Sequence, residues 1–309
     1  MISNEKTIRS LIKNKFQNHG QLNFKSELNC IPLKQYGNSY VFKSFNKVRI
    51  SGITGKLLVR TGNQLQVADE LANANLIKKP DGYYLKVTAY INKENYKQIE
   101  TNGKEIGLDF GIKTNITTSE GEKLDVSVEE SDRLKKLQRK QFRQVKGSNN
   151  RYKTIKKIQR EYQKLSNKKQ DKANKIVSKL KRYETIVIQD EQISNWHRTY
   201  SRTVQHRCMG LIKSKLKQLQ QTIILDKWIP TTKWCPKCGR LHDMPTDVRT
   251  YVCECGYHED RDVHFANNMI TIKDLILANI SVPMEHRELT LEEFKTSVED
   301  SNVFNKSER

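Results

Sequence analysis

Two pairs of cysteines stand close together late in the chain, Cys235-Pro-Lys-Cys238 and Cys253-Glu-Cys255, with 14 residues between them. Thiolates in short pairs, each followed by a glycine (Gly239, Gly256) that lets the backbone curl around a cation, suit a tetrahedral structural Zn²⁺. The second pair is one residue shorter than the usual Cys-x-x-Cys, which tightens its knuckle, and His242 or His258 could stand in for one cysteine. The competing reading is free thiols or a disulfide; a basic chain with no signal-like opening stretch weighs against the disulfide. Carboxylates form the second set. Asp109 follows Ile106-Gly107-Leu108, Gln189-Asp190-Glu191 follows the apolar run 185–188, and Asp262 lies just beyond the second knuckle in Glu259-Asp-Arg-Asp-Val-His264. Each acid has a plain explanation, since Asp109 can form a turn and acids at a helix start suit the helix dipole. Alternatively they converge at the end of one sheet as ligands for Mg²⁺, an ion that prefers carboxylate and water oxygens.

The charge of the whole chain narrows what such a site would act on. The 309 residues carry 56 Lys and Arg against 35 Asp and Glu, a net +21 with pI near 9.6. That excess points to a polyanionic partner, most simply nucleic acid, because each neutralised phosphate releases counterions. A small-molecule substrate is not expected. An anionic membrane surface competes, but no apolar run approaches the roughly 18 residues needed to span. A soluble, cytoplasmic protein is therefore expected. Cys30 and Cys208 stand apart from the cluster and read as ordinary thiols.

Residues 1–25 are polar and expected to be mobile. Residues 26–100 alternate short β-prone runs with glycines, including a hairpin turn at Pro80-Asp81-Gly82, and predict a small barrel or curled sheet. Its lysines and tyrosines could hold RNA, although a plain barrel core explains most of the pattern. Residues 101–230 mix apolar strands with helical periodicity in α/β fashion. Within them, 132–182 contain 20 Lys and Arg, against only Glu161 and Asp171 once past Asp132. Apolar residues there recur at helical spacing around a break at Gly147-Ser148-Asn149-Asn150, so two or three helices are expected, the first pair a hairpin. A solvated helical face is the bland alternative, but a nearly one-sign surface repels itself unless phosphates are near. Lys135, Lys136, Arg139, Arg143, Arg151, Lys156 and Lys157 are the candidate nucleic-acid contacts. A helix is predicted from about 199 to 220, a zinc module over 231–258, a last motif and helix over 259–280, and a disordered tail over 281–309.

In this order, an acid after a strand, acids after a second strand, a four-cysteine knuckle and Asp-Arg-Asp-x-His-x-Ala, the chain resembles the TnpB family. These are transposon-encoded RuvC-like nucleases related to the type V CRISPR effectors. The resemblance runs from about Asn38 to Glu288. It implies an RNase H-like (RuvC) mixed sheet with a helical insertion and a zinc-ribbon-like insertion, preceded by a wedge-like β-barrel that binds RNA. It further implies an RNA-guided endonuclease with guide RNA and double-stranded DNA as partners. Asp109 then looks like the first catalytic carboxylate and Asp262 like the third, holding two Mg²⁺ about 4 Å apart. Three departures accompany it. Gln189 occupies the family's usual second glutamate position, and strand periodicity nominates Glu191, on the same side two residues later, as its replacement. Without that acid the resemblance implies an RNA-guided repressor that binds and does not cut. The helical recognition region that usually splits or precedes the barrel is not found, so the chain reads as N-terminally short. His264 stands where an Asn is usual.

Overall fold

The computed structural model describes residues 28–278, apart from 61–64, 67, 93, 95–98, 113–114, 192, 194–195, 197–199, 201–203 and 246. The expected N-terminal segment and C-terminal tail lie outside the described residues. The chain divides into two compact units, Met1–Lys97 and Gln98–Arg309.

The first unit holds two antiparallel three-stranded sheets. One runs β1 (Cys30–Leu33), β5 (Glu70–Lys79), β6 (Gly82–Tyr90), and the other β2 (Tyr40–Ser44), β3 (Lys47–Ile50), β4 (Leu57–Leu58). Leu33, Tyr40, Val48, Ile50 and Ala74 make a shared buried core, and the Tyr40 hydroxyl donates to the Ala72 carbonyl at 2.8 Å. Where a small barrel or curled sheet was expected, the described residues form two small sheets around one core with no ladder closing them into a barrel. The hairpin falls where Pro80-Asp81 predicts it, with Lys79 paired to Gly82. β1 was not legible, because Cys-Ile-Pro-Leu carries a proline and little alternation.

The second unit is built on a five-stranded mixed sheet. Its strands are β7 (Glu105–Gly111), β8 (Asn115–Thr118), β9 (Lys123–Leu124), β10 (Thr185–Gln189) and β11 (Thr222–Leu225), in spatial order β11-β10-β7-β8-β9. β7, β8 and β9 form an antiparallel meander, whereas β10 runs parallel to both β7 and β11. Alternation sorts the strands' side chains onto two faces. Ile106, Leu108, Phe110, Ile186 and Ile188 pack on one side against Ala173, Val177 and Leu180 of α2 (Asn149–Leu180) and Met209, Ile212 and Leu216 of α3 (Met209–Leu216). Val187 and Leu225 pack on the other side against Phe265, Ala266, Met269 and Ile272 of α4 (Arg261–Leu277).

α1 (Asp132–Arg143) and α2 make the expected basic hairpin, each capped at its start by a serine: Ser131 accepts from the Leu134 amide and Ser148 from the Arg151 amide. The basic segment yields two helices, the second continuous for 32 residues. Of the helix predicted over 199–220, Tyr200, Val204 and Gln205 are helical and so is Met209–Leu216, with a break at 206–208 between them; 199 and 201–203 lie outside the described residues. The backbone of 206–208 is committed elsewhere, with Val128 N–H donating to His206 and Cys208 N–H donating to Val126, so that stretch cannot turn helically.

α4 crosses β7 at Gly107 with no space to spare. A Cβ placed there would sit 1.9 Å from the Ala266 carbonyl oxygen. Gly107→Ala is therefore expected to destabilise the unit by about 3 kcal/mol, at the upper end of overpacking costs, because the obstacle is backbone. Gly210 in α3 has nothing within 4 Å of the same position. Gly210→Ala should stabilise by roughly 0.5–1 kcal/mol. Equilibrium unfolding in urea checks both, and equal effects at the two sites would refute the close crossing.

Candidate active site and metal centre

Because Gly107 and Asp109 share a face of β7, the crossing that needs a glycine brings Asp109 to the first turn of α4. Asp109 lies inside the strand, paired with Thr117, and is not a turn residue. A cleft of about 490 Å³ opens there, lined by Asp109, Glu191 and Asp262 together with Asp247, Arg249 and Arg261. Three acids from a strand, a post-strand turn and a helix start thus face one space.

Glu191 reaches it by a route that periodicity did not foresee. β10 ends at Gln189, and the Glu191 amide donates back to the Gln189 carbonyl at 2.9 Å, a tight turn that reverses the alternation. The two side chains consequently part. The Gln189 amide is 5% exposed and fully used: Nε2 donates to the carbonyls of Asp226 (2.9 Å) and Ile229 (2.8 Å), while Oε1 accepts from the Thr231 hydroxyl. A carboxylate in that place would press against two carbonyl oxygens. Gln189 is a structural amide that pins the loop after β11, and Glu191 is the acid facing the cleft.

The site is electrically tense. Burial first, then the charges of Glu191 and Asp262, hold the Asp109 carboxyl well above the usual carboxylate range, with Arg261 opposing. Burial also raises Glu191, and the Lys213 ammonium opposes it. Lys213 on α3 is itself 5% exposed; its Nζ donates to the Glu191 carbonyl at 2.6 Å and lies 5.3 Å from the centre of the Phe110 ring. Burial lowers its pKa to about 8. No residue pattern in the sequence marks Lys213, because its partner is 22 residues away across a turn.

The four cysteines meet. Their sulfurs all lie within 4.8 Å of one another, with Cys235–Cys255 at 3.6 Å and Cys238–Cys253 at 3.5 Å. A tetrahedron with metal–sulfur bonds of about 2.3 Å has edges near 3.8 Å, so the spacing suits Zn²⁺ and is far too long for disulfides. The cluster could bind zinc. Gly239 (φ 72°) and Gly256 (φ 83°) take the left-handed conformation that closes each knuckle, and their amides donate to Cys235 and Cys253. His242 stays outside the four, its Nε2 3.0 Å from Cys253 Sγ, and His258 is exposed on β13 (His258–Asp260).

This centre and the acid cleft are mechanically joined. β12 (Thr250–Val252) and β13 pair antiparallel directly before α4. Tyr251 of β12 stacks on His264 of α4 with centroids 3.8 Å apart, and Asn268 Nδ2 donates to the carbonyls of Thr231 and Trp234. His264 is fully buried, and burial holds its pKa near 4, so it is a neutral packing ring. Arg261 Nη1 donates to the carbonyls of Pro245 and Val248, which holds the loop carrying Asp247 and Arg249 at the cleft. Arg249 lies 4.0 Å from the Asp262 carboxylate.

Of the candidate nucleic-acid contacts, Lys135, Lys136, Arg139, Arg143, Lys156 and Lys157 are exposed on the hairpin. Arg151 is placed differently. Its guanidinium donates to the carbonyls of Gln141 (2.7 Å) and Gln144 (2.9 Å) and so caps the end of α1.

Residues 88–199 match the family described as a probable transposase, OrfB_IS605, and residues 206–269 match the Cas12f1-like TNB domain. The first segment contains Asp109 and Glu191; the second contains the four cysteines and Asp262. The chain is 32% identical over 177 residues to a protein of Streptomyces pristinaespiralis named as an RNA-guided DNA endonuclease, covering 53% of this chain and 44% of that one. It is 26% identical over 247 residues to one of Escherichia coli (strain K12) named as the RNA-guided DNA endonuclease InsQ, covering 71% and 61%. The chain thus spans about half the length of these relatives. The resemblance to the TnpB family drawn from the motifs is supported by these matches.

Proposed function

We propose that the protein is an RNA-guided, divalent-metal-dependent DNA endonuclease associated with a transposon, with an RNase H-like (RuvC) catalytic unit. One observation carries the reading: Asp109, Glu191 and Asp262, drawn from elements up to 153 positions apart, line a single cleft in the mixed sheet. The sheet order, a meander extended by two parallel strands, supports the fold assignment. The Gln189 substitution gives less support to the repressor alternative, since that amide serves the loop and Glu191 lines the cleft.

The donor set fits a hard, oxygen-seeking ion. Burial and the charges of Glu191 and Asp262 oppose the Asp109 carboxylate, so a bound cation would relieve it, and three carboxylates are what Mg²⁺ selects. Asp109, Glu191 and Asp262 would hold it, and when bound it would activate water and stabilise the leaving oxygen of a phosphodiester. The chain's own residues do the rest. Phe265 gives the cleft an apolar wall. Arg249 offers a planar, permanently charged fork suited to a phosphate. Lys213 fixes the turn that aims Glu191 inward, so it is a positioning residue. Lys213→Met keeps the length and the apolar packing over Phe110 but frees the Glu191 carbonyl. It is expected to lower cleavage about 10- to 100-fold with RNA binding unchanged, the range seen when a partner of a metal ligand is lost. Parallel cleavage and RNA-retention assays check this.

The reading is tested by expressing the gene with its flanking DNA and sequencing the RNA that copurifies. A discrete structured RNA encoded nearby, together with Mg²⁺-dependent cutting of a matched duplex, is the expected result. Random RNA fragments and no cutting would overturn it.

A further inference from the structure

The α1–α2 hairpin carries a feature that charge alone does not explain. α2 is roughly 48 Å long. Its C-terminal half packs on the sheet through Ala173, Val177 and Leu180, whereas Thr154, Ile158 and Glu161 are the buried residues of its N-terminal half. The acids of the hairpin sit toward its base, where Glu161 meets Arg133 and Lys164, and Asp132 meets Lys135. At the other end large apolar side chains are bare: Phe142 is 85% exposed, Val145 76% and Tyr152 57%.

These side chains share one place. Arg151, adjacent to Tyr152, donates to the carbonyls of Gln141 and Gln144, the residues that bracket Phe142 and Arg143. The end of α1 and the start of α2 are thereby locked together with both rings on the same tip. Around them stand Lys140, Arg143, Lys146 and Lys153, with no carboxylate partner among the described residues. Lys156 Nζ lies 4.5 Å over the Tyr152 ring. Bare rings normally find protein cover. A tip so dense in unpaired cations repels a second copy of itself and most basic surfaces, and it favours a polyanion that also presents flat apolar faces.

We propose that the hairpin tip, Phe142 with Val145 and Tyr152, is a base-stacking platform for a single-stranded stretch of nucleic acid, its backbone phosphates met by the surrounding cations. This rests on the nucleic-acid reading above and adds what the tip recognises. Guide RNA and an unpaired DNA strand share that chemistry, so both are used as probes.

The test uses the full chain freed of copurifying nucleic acid, with RNA and DNA single strands carrying 2-aminopurine, whose fluorescence falls on stacking. Wild type is expected to quench one or both probes. Phe142→Ala should weaken binding about tenfold and abolish most of the quench, with the slope of log affinity against log salt unchanged. Phe142→Trp should restore both. Arg143→Ala should instead reduce that slope. The stronger probe identifies the strand. Binding and quench by Phe142→Ala equal to wild type would overturn the proposal while leaving the nucleic-acid reading intact, as would a dimer that dissociates in Phe142→Ala. A wild-type protein that binds neither strand overturns both.

Discussion

Asp109→Asn is expected to abolish metal-dependent cleavage, by at least about 10³-fold, while leaving the protein folded and no less stable. The loss follows from removing a ligand whose ion would supply several kcal/mol of transition-state stabilisation, each 1.36 kcal/mol being a factor of ten. The retained stability follows from the site's tension. The Asp109 carboxylate is charged at a cost, since burial and the charges of Glu191 and Asp262 all oppose its ionisation. An amide of the same shape relieves that opposition, so the thermal midpoint in magnesium-free, chelator-free buffer should rise. Activity lost with stability gained separates a functional acid from a structural one. An acid that merely held the β7–β8 hairpin would give the reverse, and unchanged cutting by Asp109→Asn would sink the assignment of the site.

Cys235→Ser should have the largest effect on structure. Cys235 is fully buried at the centre of the four-sulfur cluster, where Tyr251 and Cys253 complete a small core with little else in it. Such a core is too small to stand alone, and structural zinc in comparable modules supplies on the order of 10–16 kcal/mol. Purified protein is expected to hold one zinc per chain, and the variant or a chelated sample none. The consequence should reach the cleft, because Tyr251 stacks on His264 and Arg261 ties the loop of Asp247 and Arg249 to α4. Cleavage should therefore vanish with the zinc, near-UV circular dichroism from Trp234 and Tyr251 should collapse, and the α1–α2 hairpin should keep its helical signal. A variant that lost zinc yet cut normally would show that the module is independent of the acid site.

Several local features were legible as soon as the residues were read. The cysteine spacing announced its own geometry, because a knuckle is a local structure closed by a few residues and a glycine. The same is true of the Pro80-Asp81 turn and of the two basic helices, whose apolar spacing and break at Gly147-Ser148 lie within the residues they govern. Where the reading went astray, a distant backbone had intervened. The helix predicted over 199–220 is interrupted at 206–208 because Val126 and Val128 claim hydrogen-bonding groups of His206 and Cys208. Arg151 reads as one more cation in a basic run, yet its charge is spent on the carbonyls of the preceding helix.

The acids show the division most clearly. The sequence by itself determined that Asp109, Glu191 and Asp262 are carboxylates within or just after apolar strand runs or at a helix start, since apolar runs and helix-start preference are properties of neighbouring residues. Only the tertiary structure decided that they share a cleft, that Gln189 is sealed under the loop after β11 and that Lys213 holds Glu191 in place. Those outcomes depend on a close crossing at Gly107 and on a tight turn after β10. Both are contacts between segments that the chain order keeps apart, and no periodicity in a single stretch encodes which distant backbone will come to lie against it.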